Sequence, residues 1–280
     1  MSFLSSLMNA LPGAVAQGLA WGIMAIGVYI TFRILDVADL TVDGSLATGG
    51  AVCVMLIRAG VNPWLAMLCA LVSGMLAGLV TGLFHTRCGI PAILAGILTQ
   101  LALYSINLRI MGGKANQAVS VDKYHLLLSQ RYVRELSLDN PLPLLVVLTA
   151  VIVAALYRFF GTEKGSSVRA TGANPHMARA QGINTSANIV LGLMLSNGLV
   201  ALSGALLAQY QGSSDINMGR GAIVYYIVLQ IVLQIGLNTN DLKLITALIV
   251  ALFLTLSYLN LKKTRRKPRR AAKEGVEQHA

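Results

Sequence analysis

Few residues of this chain have the types and spacing that catalysis or metal binding requires. No pairing of a nucleophile with a base is visible, and no cluster has the spacing of metal ligands. The three cysteines lie in or at the end of apolar runs, with a spacing that suits neither a metal site nor a disulfide framework: Cys53, Cys69 and Cys88. The four histidines are scattered and are interpreted as lone surface residues: His85, His125, His176 and His279. We therefore expect a non-catalytic protein without a metal or cofactor.

The sequence also lacks the phosphate-binding loop of P-loop ATPases, whose pattern is Gly-x-x-x-x-Gly-Lys-Ser/Thr. Residues 112–114, Gly-Gly-Lys, have neither that spacing nor a strand-to-helix context. Any process driven by ATP therefore requires a separate ATPase chain.

Carboxylates cluster where apolar runs are interrupted. The first interruption, residues 36–45, holds three aspartates in ten residues, and these cannot face lipid. A second interruption, residues 212–221, is also polar. The aspartates could line a path for a solute, or they could cap helices, since Asp39 or Asp43 precedes an apolar helix that starts near Ser45. The two roles are compatible.

Three polar side chains, Gln100, Tyr104 and Asn107, also fall inside an apolar run. Such residues line solute paths or form hydrogen bonds between helices. The predicted translocation path therefore comprises eight residues: Asp39, Asp43, Gln100, Tyr104, Asn107, Asp215, Asn217 and Arg220.

The composition predicts that membrane helices position these residues. Of the 280 residues, 55% are hydrophobic and 12% are charged, and the mean hydropathy is +0.68. Repeated apolar runs of about 20 residues are typical of an all-α polytopic membrane protein. We predict about six full spans, at residues 11–35, 63–85, 89–111, 141–160, 186–210 and 242–261. Two shorter runs, 46–59 and 222–237, are predicted to be half-helices, the first of which enters and leaves on one side.

The two interruptions indicate an internal repeat. A shift of about 176 residues aligns Asp39 with Asp215 and preserves the order of elements. The halves cover residues 11–87 and 186–263 of a single transmembrane domain, 1–280, and two spans in 89–160 join them. Two intervening spans preserve orientation, so the repeat is predicted to be parallel, with a transport path at its interface.

Lysine and arginine set the predicted orientation. The net charge is +11, and basic residues gather at Arg87, in residues 158–179 and in the tail, 262–280. These segments are predicted to be cytoplasmic, together with both termini. The two interruptions and residues 112–140 then lie outside. A basic run directly after an apolar span marks a membrane surface rather than a nucleic-acid site.

A polar island, residues 161–185, separates two long apolar runs. Its middle is predicted to be one short helix, because Asn174 is a good N-cap, Pro175 fits the first helical position and Gly182 suits the position just past the end. A short, capped, basic helix in water offers a rigid face to a soluble partner. The alternative is a positive loop that only sets the orientation of the spans.

The island carries the pattern Arg169-Ala170-x-Gly172-x-Asn174-x-x-x-Ala178-Arg179-x-x-Gly182-Ile183-Asn184. It resembles the cytoplasmic coupling loop of bacterial ABC importer permeases of the branched-chain amino-acid and ribose type, where this loop fits a cleft in the ATPase subunit. Residues 38–45 are similar to the Asp-Leu-Ser-Val-Gly motif of ribose-type permeases. Asp43 is extra, as in the permeases of a subgroup assigned to amino acids, including aromatic ones.

The resemblance implies the permease subunit of an importer in the bacterial cytoplasmic (inner) membrane. The expected solute is small and polar, and an amino acid first, either aromatic or branched-chain. The resemblance also implies cytoplasmic ATPase subunits, an extracytoplasmic substrate-binding protein and a second permease copy in a homodimer as partners. The residues expected to couple the permease to the ATPase are Arg169, Gly172, Asn174, Pro175, Ala178, Arg179 and Gly182. A permease for a sugar such as ribose, or an autonomous secondary transporter, is the alternative.

Overall fold

The computed structural model describes residues 3–120, 123–124, 126–129 and 142–218, with the backbone alone for residues 3–11. Within these ranges, five helices are long and apolar enough to cross a membrane: Pro12–Ile34, Pro63–Thr86, Ala92–Ile110, Leu142–Gly161 and Thr185–Gln211. Five of the predicted spans are thereby found. The sixth, 242–261, lies outside the described residues, as do the second half-helix, 222–237, and the tail, 262–280.

The elements follow one another in this order. Helix α1, Phe3–Tyr29, continues as a π-helix, Ile30–Ile34, and is followed by α2, Val42–Arg58, α3, Pro63–Thr86, α4, Ala92–Ile110, and strand β1, Asn116–Ala118. After a gap in the described residues come α5, Leu142–Gly161, α6, Glu163–Ala173, α7, Pro175–Ala180, α8, Thr185–Gln211, and strand β2, Ser213–Asp215.

Helix α8 is the centre of the bundle, and α1, α2 and α3 pack against it. Most of its side chains beyond Gly192 are buried. Glycines allow this close approach: a Cβ atom on Gly74 or Gly78 of α3 would overlap the backbone of α8. Lipid tails are as apolar as the side chains, so membrane helices associate through such close packing rather than through a hydrophobic driving force.

Hydrogen bonds fix the direction of α1. Along α8, Ser196 Oγ donates to the carbonyl of Gly27 at 2.7 Å, Ser203 Oγ to Ala20 at 2.7 Å, and Tyr210 Oη to Gly13 at 3.1 Å. The residue numbers of the partners on α1 decrease as those on α8 increase, so the two helices are antiparallel. The end of α1 therefore lies beside the start of α8.

The two ends of the bundle carry different structures. One end carries α6 and α7, and we call it the loop end. The other end carries β1 and β2, which pair antiparallel with Asn116 opposite Asp215, and we call it the strand end. Helix α3 runs back to the loop end, because Gly74, Gly78 and Gly82 approach successively earlier residues of α8. Helix α4 then returns to the strand end.

Residues 36–58 cross the bundle in two pieces. The chain turns at Asp36, whose φ is 54°, and runs without helical structure to Thr41. Helix α2 then begins near the middle of α8, where Ser45 bonds to Asn197, and ends at the strand end, where the Arg58 guanidinium donates to Gln117 Oε1. The chain enters at the loop end and leaves at the strand end.

This crossing corrects four predictions. The half-helix predicted over 46–59 begins earlier, at Val42, and does not return to the side from which the chain came. The first interruption starts at the same end as residues 161–185, although the two were predicted to lie on opposite sides. Since residues 36–58 add one crossing, α1 and α8 point in opposite directions, and the predicted parallel repeat is wrong for these two helices. A helix crossing once also cannot place both the N-terminal end of α1 and the loop of residues 161–185 in the cytoplasm.

Candidate translocation path and coupling surface

Asp39 is a buried carboxyl group in the middle of the bundle, with 2% of its surface exposed. Its Oδ1 accepts from the backbone N–H of Thr41 at 2.8 Å, and its Oδ2 accepts from Nδ2 of Asn197 at 2.7 Å. Ser45 Oγ donates to Oδ1 of the same Asn197 at 2.6 Å. Helix α8 thus holds both the interruption and the first turn of α2.

The capping role considered for the aspartates is found only in part. The N-cap of α2 is Thr41, which makes no side-chain capping bond. Asp39 accepts the N–H of Thr41 itself, and Asp43 lies inside the first turn of α2, where the helix dipole favours a negative charge.

A small cavity of about 50 Å³ lies between α2, α4 and the residues just after β2. Five of the eight residues predicted for the translocation path line it: Asp43, Gln100, Tyr104, Asn107 and Asn217. The other lining residues are Gly44, Ala47, Leu101 and Ile216. Residues far apart in the sequence are therefore brought together around one cavity.

Two other predicted path residues of the described structure are not among the lining residues. Asp39 is held within the bundle by Asn197. Asp215 ends β2, where its Oδ1 accepts from the N–H of Asn217 at 2.7 Å and its Oδ2 from Asn116 at 3.5 Å. Arg220 lies outside the described residues.

The short helix predicted in the polar island is present as α7, Pro175–Ala180, with the predicted ends. Asn174 Oδ1 accepts from the N–H groups of His176 and Met177, at 3.1 and 3.0 Å. Gly182 has a φ of 79°, a left-handed conformation that glycine adopts without strain. The bonds from Gly182 N to Arg179 O and from Ile183 N to Ala178 O form a Schellman motif at the end of the helix.

A second helix in the island, α6, was not predicted. Thr162 Oγ1 caps it by accepting the N–H of Gly165. A Cβ on Gly172 would overlap the carbonyl of Ile34, so α6 lies directly against the end of α1. Nδ2 of Asn188 in α8 donates to Ser167 Oγ at 2.7 Å and to Thr171 Oγ1 at 2.9 Å. Two glycines and several β-branched or hydroxyl residues gave α6 little helical signal in the sequence.

The seven residues predicted for coupling divide by exposure. Arg169, Asn174, Pro175, Arg179 and Gly182 are exposed. Ala178 is 3% exposed and packs inward, so it anchors α7 and adds no outer surface. Gly172 faces α1. The Arg179 Nε donates to Thr185 Oγ1 at 2.9 Å, which orients its side chain.

Sequence reasoning missed several residues at both sites. Asn188 and Asn197 connect α8 to α6 and to the first interruption, and asparagine inside a membrane helix was an available signal. Met177, 60% exposed on α7, is the apolar part of the surface that α7 presents. The sequence did not indicate that Met177 is exposed, because a helix of six residues has too few turns to show which face is buried.

A family model described as the permease component of the branched-chain amino acid transport system matches residues 11–266. The chain belongs to this family. The family predicted from the coupling-loop pattern is thereby confirmed. The permease is a component of an ABC transport system and a multi-pass membrane protein.

The individual relatives have names that give different solutes or none. The permease is 36% identical to the tyrosine transport system permease protein of Clostridioides difficile, over 93% of its own length and 96% of the relative's. It is 32% identical to an uncharacterized protein of Rickettsia prowazekii, over 89% and 98%. The ribose import permease protein of Escherichia coli K12 is 25% identical over 76% and 65%. No solved structure matches the permease.

Proposed function

We propose that the permease imports an amino acid, tyrosine or a related aromatic one, across a bacterial cytoplasmic membrane. The observation that carries the proposal is the 36% identity to a tyrosine permease over nearly the full length of both chains. The ribose permease has lower identity and a shorter matched range, so it supports a sugar less well. A binding protein outside the cell delivers the solute.

Energy comes from ATP hydrolysed on separate cytoplasmic subunits, and the permease itself does no chemistry. An autonomous secondary transporter would need a site for a coupling ion, usually several carboxylates deep in a span. The described cavity is lined by one carboxylate, Asp43, and the buried Asp39 is already bonded to Thr41 and Asn197. These features favour the ABC importer.

The exposed faces of α6 and α7 form the proposed docking surface for the ATPase, which we call the coupling surface. Its outer residues are Arg169, Asn174, Met177 and Arg179. Capping at both ends makes α7 rigid, and the bonds from Asn188 tie α6 to α8. A displacement of α6 or α7 is therefore transmitted to α8, the helix whose Asn197 also binds Asp39.

The loop end is proposed to be cytoplasmic, because the coupling surface and Arg87 lie there. The N-terminal end of α1 is then extracytoplasmic, contrary to the orientation first predicted. The basic tail, 262–280, is proposed to be cytoplasmic as well. A second copy completes a homodimer.

Co-purification from the native host tests the coupling surface. We expect an ATPase subunit to accompany the wild-type permease in mild detergent and to be lost from Met177→Asp and Arg179→Glu. Arg87→Glu is the matched control, since Arg87 is exposed at the same end but lies outside α6 and α7. If both coupling variants retain the ATPase, residues 161–185 do not dock it and only set the orientation of the spans.

A further inference from the structure

Asn107 on α4 is the most unusual polar residue of the described structure. Its side chain is 1% exposed, and neither Nδ2 nor Oδ1 has a hydrogen-bond partner. Nearly all buried polar groups in proteins are paired, and an unpaired one lowers stability. Asn107 also lines the cavity between α2 and α4. A buried amide that is unpaired and borders a cavity is available to a ligand.

The polar residues around this cavity form one surface. Gln100, Tyr104 and Asn107 are spaced by four and three residues, so they share one face of α4. Opposite them, Asp43 lies in the first turn of α2. The surface therefore offers amide donors and acceptors beside the carboxylate of Asp43.

This combination suits a solute that carries an ammonium group together with a carboxylate. An ammonium group forms a charge-assisted bond with Asp43, and the carboxylate accepts from Nδ2 of Asn107. A solute with a carboxylate alone has no group that donates to Asp43. A neutral sugar makes no charge-assisted bond through an ammonium group.

We propose that Asp43 and Asn107 form a transient subsite for the ammonium and carboxylate groups of an α-amino acid on its way through the permease. The subsite rests on the proposed function and extends it, because it assigns the recognised groups to particular side chains. The cavity is too small to enclose a whole amino acid, so α2 and α4 move apart when the solute passes.

The test is uptake of radiolabelled tyrosine by proteoliposomes that contain the permease, its ATPase and its binding protein. Asn107→Leu replaces both hydrogen-bonding atoms with methyl groups and keeps the number of heavy atoms. Its maximal rate is expected to fall about tenfold, the effect of one lost bond to a charged group. The KM is expected to stay unchanged, because the binding protein captures the solute first. The melting temperature is expected to be equal or higher, since an unpaired buried amide is removed.

Asp43→Asn is expected to lower the maximal rate about as much. Thr99→Val is the matched control on the same helix: Thr99 is buried, and its hydroxyl already bonds to the Ala95 carbonyl. It should keep the wild-type rate. Should Asn107→Leu fail to fold, Asn107→Asp provides the same test, since a second carboxylate in the cavity repels that of the solute and lowers the rate at least tenfold.

Two failures are distinguishable. If the wild type accumulates tyrosine and Asn107→Leu does so within twofold of it, the subsite is overturned while the proposed function stands. The subsite is also overturned if Asn107→Leu and Thr99→Val lose the same fraction of the wild-type rate. If the wild type accumulates labelled ribose and no tyrosine, the proposed function fails and the subsite fails with it.

Discussion

At the scale of single residues, Asn197 joins three elements. Its amide contacts the carboxyl of Asp39 and the hydroxyl of Ser45, and both of these groups are buried. Asn197→Leu leaves the two groups without this partner. We expect the free energy of unfolding to fall by about 2 kcal/mol or more, since each orphaned buried group costs roughly 1–3 kcal/mol. Thermal unfolding of the purified permease in detergent measures the change.

Thr149→Val on α5 is the control for this change. The hydroxyl of Thr149 bonds only to the Leu145 carbonyl of its own helix. We expect a change within about 0.5 kcal/mol, because no group on another element loses its partner. Equal losses in the two variants would show that the contacts of Asn197 do not stabilise the interruption.

The sequence identifies polar residues that share a cavity better than it identifies their partners. Asp43, Gln100, Tyr104 and Asn107 stand out as polar residues in apolar surroundings, and all line one cavity. Asp39 stands out for the same reason, yet its carboxyl is bound by Asn197. A single sequence cannot reveal a pair separated by 158 positions, because composition and periodicity carry only local information.

At the scale of elements, glycines set how closely α2 and α8 approach. A Cβ on Gly204 of α8 would overlap the carbonyl of Leu46 in α2. Gly204→Ala is expected to lower the free energy of unfolding by about 1–3 kcal/mol, the typical cost of overpacking. Thermal unfolding again measures the change.

Gly18→Ala in α1 is the matched control, because nothing lies within 4 Å of the added Cβ. It should be neutral or stabilising by up to about 1 kcal/mol, since glycine is the poorer helix former. A Gly204→Ala variant as stable as Gly18→Ala would contradict the close packing of α2 on α8.

Elements with strong local signals were predicted well. The ends of α7 follow from Asn174, Pro175 and Gly182, and the structure has them where the sequence placed them. The path of residues 36–41 was not predictable in this way. An extended segment buried inside a bundle has no periodic pattern, and the apolar run after it is shorter than a full span.

At the scale of the whole molecule, one missed crossing puts the N-terminal end of α1 at the opposite end of the bundle from residues 161–185, whereas the two were predicted to lie on the same side. The orientation can be measured with a membrane-impermeant maleimide on intact cells. Cys88 is exposed at the loop end, and we expect it to be labelled only after permeabilisation, in a background with Cys53→Ala and Cys69→Ala. Ala59→Cys at the strand end, with Cys88→Ala added, should be labelled without permeabilisation.

Epitope tags test the two ends of the chain in the same cells. A tag ahead of residue 1 is expected to be accessible from outside, and a tag after residue 280 only after permeabilisation. An inaccessible N-terminal tag, together with labelling of Cys88 from outside, would contradict the proposed orientation.

ATP-dependent uptake by reconstituted proteoliposomes tests whether the permease is part of an ATP-driven tyrosine importer. The vesicles contain the permease and its ATPase, with the binding protein and labelled tyrosine on one side and ATP on the other. We predict that tyrosine accumulates only when ATP, ATPase and binding protein are all present, and that a proton or sodium gradient cannot replace ATP. Accumulation driven by an ion gradient in vesicles that contain the permease alone would contradict the account.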